Sequence, residues 1–357
     1  MGIRFFLVSL LLAAGCAPRP APQPAWTFEP VLTPQQSGTD ALFIGVSVVD
    51  EAVVWLSGTG GTFARTLDGG ATWQAGTVPG ADSLQFRDVE AFDAQTAFLL
   101  SIGNGDQSRI YHTTDGGATW ALRFTNAEPE AFFDCMDFWD ARHGLAFSDS
   151  FDGAFRIIRT DDGGRTWAPI PSEDLPPATE GEGSFAASGT CLVTVGEAAA
   201  YVGTGAGAAA RVLRTTDRGR TWTTHPTPIV GGTATSGIAS LTFRDPQHGA
   251  ALGGEIGAPN AFADNVAVTD DGGRTWRPGA RTPFPGAVYG AAYVPGAPQP
   301  TLVAVGPGGA AVSTDDARSW APLDSLTYWS AGFASPRAGW IVGPGGRVVK
   351  VSLYRRP

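Results

Sequence analysis

The chain has 357 residues and a formal net charge of −10, with 24 Lys plus Arg against 34 Asp plus Glu. An acidic surface repels phosphate backbones, which argues against nucleic acid as a partner. With 48 glycines, 11 tryptophans and only 16% charged residues, the composition suits short strands and tight turns better than long helices. No long stretch beyond the N-terminus carries a 3.6-residue apolar period.

The first segment, "MGIRFFLVSLLLAAGC", sets Arg4 before an apolar run from Phe5 to Ala14, then small residues before Cys16. The run is too short to span a bilayer stably and fits a secretory signal. Its ending, "AAGC", resembles a bacterial lipobox, in which the Cys becomes the lipidated first residue. An ordinary signal peptide with an incidental Cys is the competing reading. "APRPAPQPA" follows and reads as an extended tether. The expected organisation is a lipoprotein signal peptide over 1–15, a tether with lipidated Cys16 over 16–25, and one domain over 26–357. The protein is then expected in the cell envelope, on the periplasmic or extracellular side, held at the membrane by lipid alone.

A turn-rich octapeptide dominates the remainder. "TLDGGATW", "TTDGGATW", "TDDGGRTW", "TTDRGRTW" and "TDDGGRTW" end at Trp73, Trp120, Trp167, Trp222 and Trp276. A sixth copy, "STDDARSW", ends at Trp320 and has Ala317 where the others have Gly. The Trp-to-Trp steps are 47, 47, 55, 54 and 44 residues. An apolar strand pattern such as "RIYHTT" or "RVLRTT" precedes each copy, with a turn and another strand upstream, as in "DARHGLAFS" and "DPQHGAALG". Each unit reads as three strands up to the octapeptide and a fourth after its Trp. Four short antiparallel strands in about 40–50 residues is the period of a propeller blade.

The C-terminal "SAGFASPRAGWIVGPGGRVVKVS" supplies three strands of a seventh unit without an octapeptide. Trp26 stands 47 residues before Trp73, one full period. The segment near Trp26 is therefore expected to pair with the C-terminal strands and close the ring, removing the exposed edges of a linear array. The fold class is all-β: one seven-bladed β-propeller, with six and eight blades as alternatives.

Within each octapeptide the Asp can accept backbone N–H bonds across its own turn. The Gly can take a positive φ, and the Trp can bury a large ring between sheets. The residues are Asp68, Gly70 and Trp73; Asp115, Gly117 and Trp120; Asp162, Gly164 and Trp167; Asp217, Gly219 and Trp222; Asp271, Gly273 and Trp276; Asp315 and Trp320. The pattern S/T-x-D-x-G-x-T-W resembles the Asp-box, or BNR repeat, of sialidases, some glycosidases and non-catalytic propellers. That resemblance implies a structural role, away from any catalytic face. One carboxylate per blade also makes no paired acid/base site.

Enzyme readings find little support. "FRII" at 155–158 leads into an octapeptide strand, the wrong place for a sialidase arginine motif, and none of the six tyrosines sits in a recognisable nucleophile setting. His143 and His248 precede Gly in the same repeat position and read as turn residues. His112 and His225 lack partners at ligand spacing, so no metal is expected. "GPGG" at 306–309 and 343–346 is a hairpin turn, since no strand-to-helix context surrounds it. Cys135 and Cys191 fall in comparable strands of consecutive units; an inter-blade disulfide and two buried thiols both fit. Asp88, Glu90, Asp134 and Asp137 sit in the strands expected nearest the axis and could line an acidic channel. Arg211, Arg214, Arg218 and Arg220, in "RVLRTTDRGR", form the densest basic cluster and a candidate binding patch.

Together the octapeptides, the interleaved "HGLAFS"-type strands and the lipoprotein-like start resemble the photosystem II stability/assembly factor family over residues 26–354. The resemblance implies an exported, often lipid-anchored, seven-bladed propeller without enzymatic activity or cofactor. Its partner would be another protein, such as a subunit of an assembling membrane complex. The scattered arginines and net acidity depart from the arginine-rich patch of the photosynthetic members. The alternative is a sialidase-like or other glycan-binding or glycan-cleaving envelope propeller.

Overall fold

The computed structural model describes residues 1–2 and 26–355. The signal over 1–15 and the tether over 16–25, with Cys16, lie outside the described residues apart from the first two. No helix among the described residues is long and apolar enough to cross a membrane.

Seven four-stranded antiparallel sheets make up the described chain. Blades I to VI span 43–77, 86–125, 133–169, 192–226, 236–278 and 290–324, each in simple up-and-down order. Blade VII takes three strands from 330–355 and its fourth from Thr27–Gln36. That strand pairs antiparallel with Arg347–Arg355, from Thr27 opposite Arg355 to Gln36 opposite Arg347. The seven-bladed ring and its closure by the two ends of the chain thus agree with the reading of the repeats.

Alternation along the strands explains the packing. Second and third strands such as Val54–Gly58 and Gly309–Ser313 are buried throughout, because neighbouring blades cover both faces. Seven apolar clusters result, one at each seam between adjacent blades. At the seam of blades III and IV, for example, Leu145, Phe147 and Phe155 meet Leu192, Val202 and Leu213. Each octapeptide Trp packs into the seam between its own blade and the preceding one: Trp120 joins Trp55 and Phe63 of blade I, and Trp276 joins Tyr201 of blade IV. Trp26 packs the same way at the seam of blades VI and VII, so it fills the seventh place in the series.

Candidate functional site

The octapeptides share one hydrogen-bond scheme. In blade II, Asp115 Oδ1 accepts the Thr119 N–H at 2.9 Å and Oδ2 accepts the Thr119 hydroxyl at 2.6 Å. Thr113 Oγ1 donates to Asp115 Oδ1 and accepts the Gly117 N–H. The same bonds recur around Asp68, Asp162, Asp217, Asp271 and Asp315. Gly70, Gly117, Gly164, Gly219 and Gly273 all have positive φ, and Ala317 adopts the same left-handed backbone at +60°. Hydroxyl and amide donors hold Asp68 and Asp115 down at about 2. Each turn also ties to the first-to-second-strand turn of its own blade, as Gly116 N–H does to Gln95 O. All six therefore lie on one face of the disc, and every carboxylate is used within its own turn.

The four arginines of 211–220 do not come together. Arg211 forms an ion pair with the buried Glu182, while Arg214 donates to Gly272 O of blade V at 2.7 Å. Arg218 donates to Glu197 O, and Arg220 to Asp217 O. Positions 211 and 214 of one strand point to opposite faces. His143 and His248 each bond the Asp three residues earlier at 2.8 Å, Asp140 and Asp245. Cys135 and Cys191 are joined by a disulfide across the seam of blades III and IV.

The inner strands have a polar device that the sequence does not advertise. Each inner strand has one edge facing the axis, with N–H groups to satisfy. Side chains of the preceding blade accept several of them: Ser47 Oγ from Ala91, Asp88 Oδ2 from Met136, and Asp137 Oδ2 from Thr194. Ser240 and Thr242 do the same for Ala291 and Tyr293. The acids expected to line a channel are thus largely enclosed: Asp88 is 2% exposed and Asp134 1%. Burial pushes Asp88, Glu90 and Asp134 well above the carboxylate range, and Asp137 up to about 6.

The segment 183–190, which enters blade IV, crosses the axis on the face opposite the octapeptides. Ala186 O accepts from Arg87 of blade II at 2.9 Å. Ser188 Oγ donates to Tyr289 O of blade VI, and Ser188 O accepts from Ser330 of blade VII. Thr190 O accepts the Leu241 N–H of blade V. Gly189 lies against Asp88, where a Cβ would come within 2.3 Å of the carboxylate. The segment thus spans the mouth of the channel. On the octapeptide face the channel is a cavity of about 500 Å³, lined by Thr190, Thr194, Leu241, Thr242, Ala292 and Ala331 among others.

Two half-buried aromatic side chains, Tyr289 and Trp329, stand beside this plug, and the plug itself carries a third, Phe185. Tyr289 meets Trp329 edge-on at 4.9 Å, and the Arg87 guanidinium lies 5.2 Å from the Trp329 ring centre. Arg87 also donates to Gln85 Oε1 at 3.1 Å. Aromatic residues and Arg are the types enriched at protein interfaces. Below them, Asp149 Oδ1 accepts the Ser184 N–H at 2.7 Å, and the buried Asp134 Oδ2 has no hydrogen-bond partner. Arg87, Tyr289 and Trp329 carry no repeat signal in the sequence. The 55-residue step between Trp167 and Trp222 marks the insertion that contains the plug.

Closed ring and plugged axis define a disc of the seven-bladed propeller class. Solved structures with the same fold span nearly the whole chain. "YCF48 bound to D1 peptide" is 19% identical, with a TM-score of 0.62, covering 92% of this chain and 99% of that one. "YCF48 from Cyanidioschyzon merolae" is 15% identical, with a TM-score of 0.60 and coverage of 90% and 98%. The WD40 repeats of RRP9 are 10% identical, with a TM-score of 0.61 and coverage of 90% and 97%. No protein-family model and no curated protein matches the chain.

Proposed function

We propose that this protein is a non-enzymatic, membrane-tethered scaffold that binds a protein or peptide on its plugged face, in the assembly of a membrane complex. The observation that carries the reading is the rim of Arg87, Tyr289 and Trp329 around a plug bonded to blades II, V, VI and VII. A broad rigid surface with aromatic and Arg anchors suits docking with little ordering cost. The peptide-bound YCF48 structure shares the fold. The resemblance of the sequence to photosystem II assembly factors points the same way. Cys16 would supply the lipid anchor and the Pro-rich stretch the reach.

A glycan-cleaving reading has one observation in its favour: Tyr289, Arg87 and two acids meet near the axis. Hydrolysis needs its two carboxyls about 5–9.5 Å apart with sugar between them. Here Asp134 is only 1% exposed and Asp149 already accepts the Ser184 N–H of the plug, and burial raises Tyr289 above its ordinary value. The scaffold is therefore preferred.

The test is affinity isolation of tagged protein from gently solubilised native membranes, with R87A/W329A and a tether-only form as controls. The scaffold reading expects one stoichiometric protein, absent from both controls. Equal recovery with the R87A/W329A form would move the site off this face. No partner above the tether-only control, with turnover on glycan substrates, would favour the alternative.

A further inference from the structure

The free charges of the plugged face have one sign. Its loops are the second-to-third-strand hairpins and the links between blades, since octapeptides and first-to-second-strand turns lie on the other face. Arg281 is the one Lys or Arg within these loops, and it is paired with Asp264 at 2.7 Å. Arginines at the strand ends are engaged as well. Arg109 pairs with Asp106 at 3.5 Å, Arg156 with Glu128 at 3.1 Å, and Arg211 with Glu182. Arg347 donates to Thr327 O at 2.6 Å, and Arg87 to Ala186 O and Gln85. Against them stand Asp82, Glu130, Asp152 and Glu180, all exposed and none with an ion-pair partner among the described residues.

These four acids come from the links into blades II and III, the hairpin of blade III and the link into blade IV. They follow one another in an arc over blades I to IV. The rest of the face differs. The links 227–235 and 325–329 and the hairpins 307–308 and 343–346 contain no charged residue. In this half Tyr289 and Trp329 meet edge-on at 4.9 Å, and Phe262 and Leu326 are 57% and 47% exposed. The N-terminal strand does not cover the face either. Leu353 and Tyr354 N–H both donate to Pro336 O, which puts them where the other blades carry octapeptides. Thr27 pairs with Arg355, so that strand enters the ring from the octapeptide face.

We infer that the partner segment is both basic and apolar: its Lys or Arg side chains lie over Asp82, Glu130, Asp152 and Glu180, and its aromatic or aliphatic anchors lie against Tyr289 and Trp329. The inference names the partner chemistry of the docking function proposed above and rests on that reading. Complementary charge steers encounter and rejects wrong partners. An acidic segment would meet four unpaired carboxylates and no free cation. Exposed charge pairs alone hold little, so the apolar half supplies the desolvated contacts that keep the complex together.

The experiment is fluorescence anisotropy of labelled peptides with the full-length protein at low salt. The probes are GKWKLKFKG, its acidic counterpart GEWELEFEG, and GKSKSKSKG, which keeps the charge without the anchors. The first should bind, the second should not, and the third should bind more weakly than the first. Asp82→Asn/Glu130→Gln/Asp152→Asn/Glu180→Gln should weaken the first probe on the order of tenfold. None of these four side chains makes a hydrogen bond, so the variant keeps the fold. Glu51→Gln/Asp161→Asn/Glu197→Gln/Asp270→Asn removes the same charge from exposed positions on the octapeptide face and should leave binding within about twofold, since screening confines the effect to nearby charges. Equal weakening by the two variants, equal binding of the acidic probe, or no binding of the first probe overturns the inference. The docking function fails separately, in the isolation experiment. A stoichiometric partner lost with R87A/W329A but retained with the four plugged-face substitutions would keep that function and sink the basic partner.

Discussion

The side-chain carbonyl of Gln35 accepts the indole N–H of Trp73 at 3.1 Å, and it also takes the indole N–H of Trp340 at 3.2 Å. One amide from the N-terminal strand thus bonds the octapeptide of blade I and the second strand of blade VII. Gln35→Leu removes the acceptor and leaves the fully buried indole of Trp340 and the half-buried one of Trp73 without that partner. It should cost about 1–3 kcal/mol in urea unfolding, with the slope unchanged. No shift in midpoint would show that the ring seam does not depend on this residue.

Stability should peak on the acid side of neutral. Asp68, Asp115, Asp162 and Asp271 are held at about 2 by their turns. Their contribution is present above the ordinary carboxylate value and is lost as pH falls toward 2. Asp88, Glu90, Asp134, Asp137 and Asp149 are raised by burial, so theirs is complete below the ordinary value and is lost as pH rises, through about 6 for Asp137 and Asp149. The opposing slopes place the maximum Tm near pH 4–5 by linkage, readable by scanning calorimetry. A Tm that climbs steadily to pH 8 would contradict the buried-acid half of this account.

Two glycines with similar backbones should respond differently to alanine. Gly164 has φ +69°, and a Cβ there would stand 2.4 Å from Phe98 Cε1. Gly80 has φ +74° and nothing within 4 Å. Gly80→Ala carries only the left-handed penalty, about 1–2 kcal/mol. Gly164→Ala adds overpacking of about 1–3 kcal/mol. Denaturant midpoints of the two variants test the difference, and equal losses would mean that Phe98 yields freely.

Cys135 and Cys191 are fully buried and 56 residues apart. In the chain-entropy model a crosslink of that span stabilises by about 4 kcal/mol. The Cys135→Ala/Cys191→Ala double variant should lose about 2–5 kcal/mol. Thiol alkylation after dithiothreitol should require denaturant as well, because the bond is shielded. Rapid labelling under native conditions would instead indicate that the seam of blades III and IV opens readily.

Repetition made most of the fold legible. Octapeptides at near-constant spacing reveal the blades, and Trp26, one period before Trp73, reveals the closing strand. What stayed hidden is what happens once per molecule. Arg87 comes from blade II, Tyr289 and Trp329 from the links into blades VI and VII, and no local pattern connects them. The role of Asp88 is likewise visible only when the bare amide of Met136 is brought to it. The arginine run misled for the opposite reason: neighbours in sequence, placed along a strand and its turn, diverge to separate partners.

The ring seam also sets an order of events during synthesis. Thr27 pairs with Arg355, so the strand made first finds its partner last. A nascent chain must carry Thr27–Gln36 as an orphan edge while six blades form behind it. An orphan edge invites pairing with other chains. Pro30 and Pro34 lie within that strand and have no N–H to offer. They blunt the template during the interval, so the unfinished propeller is shielded by the same segment that later completes it.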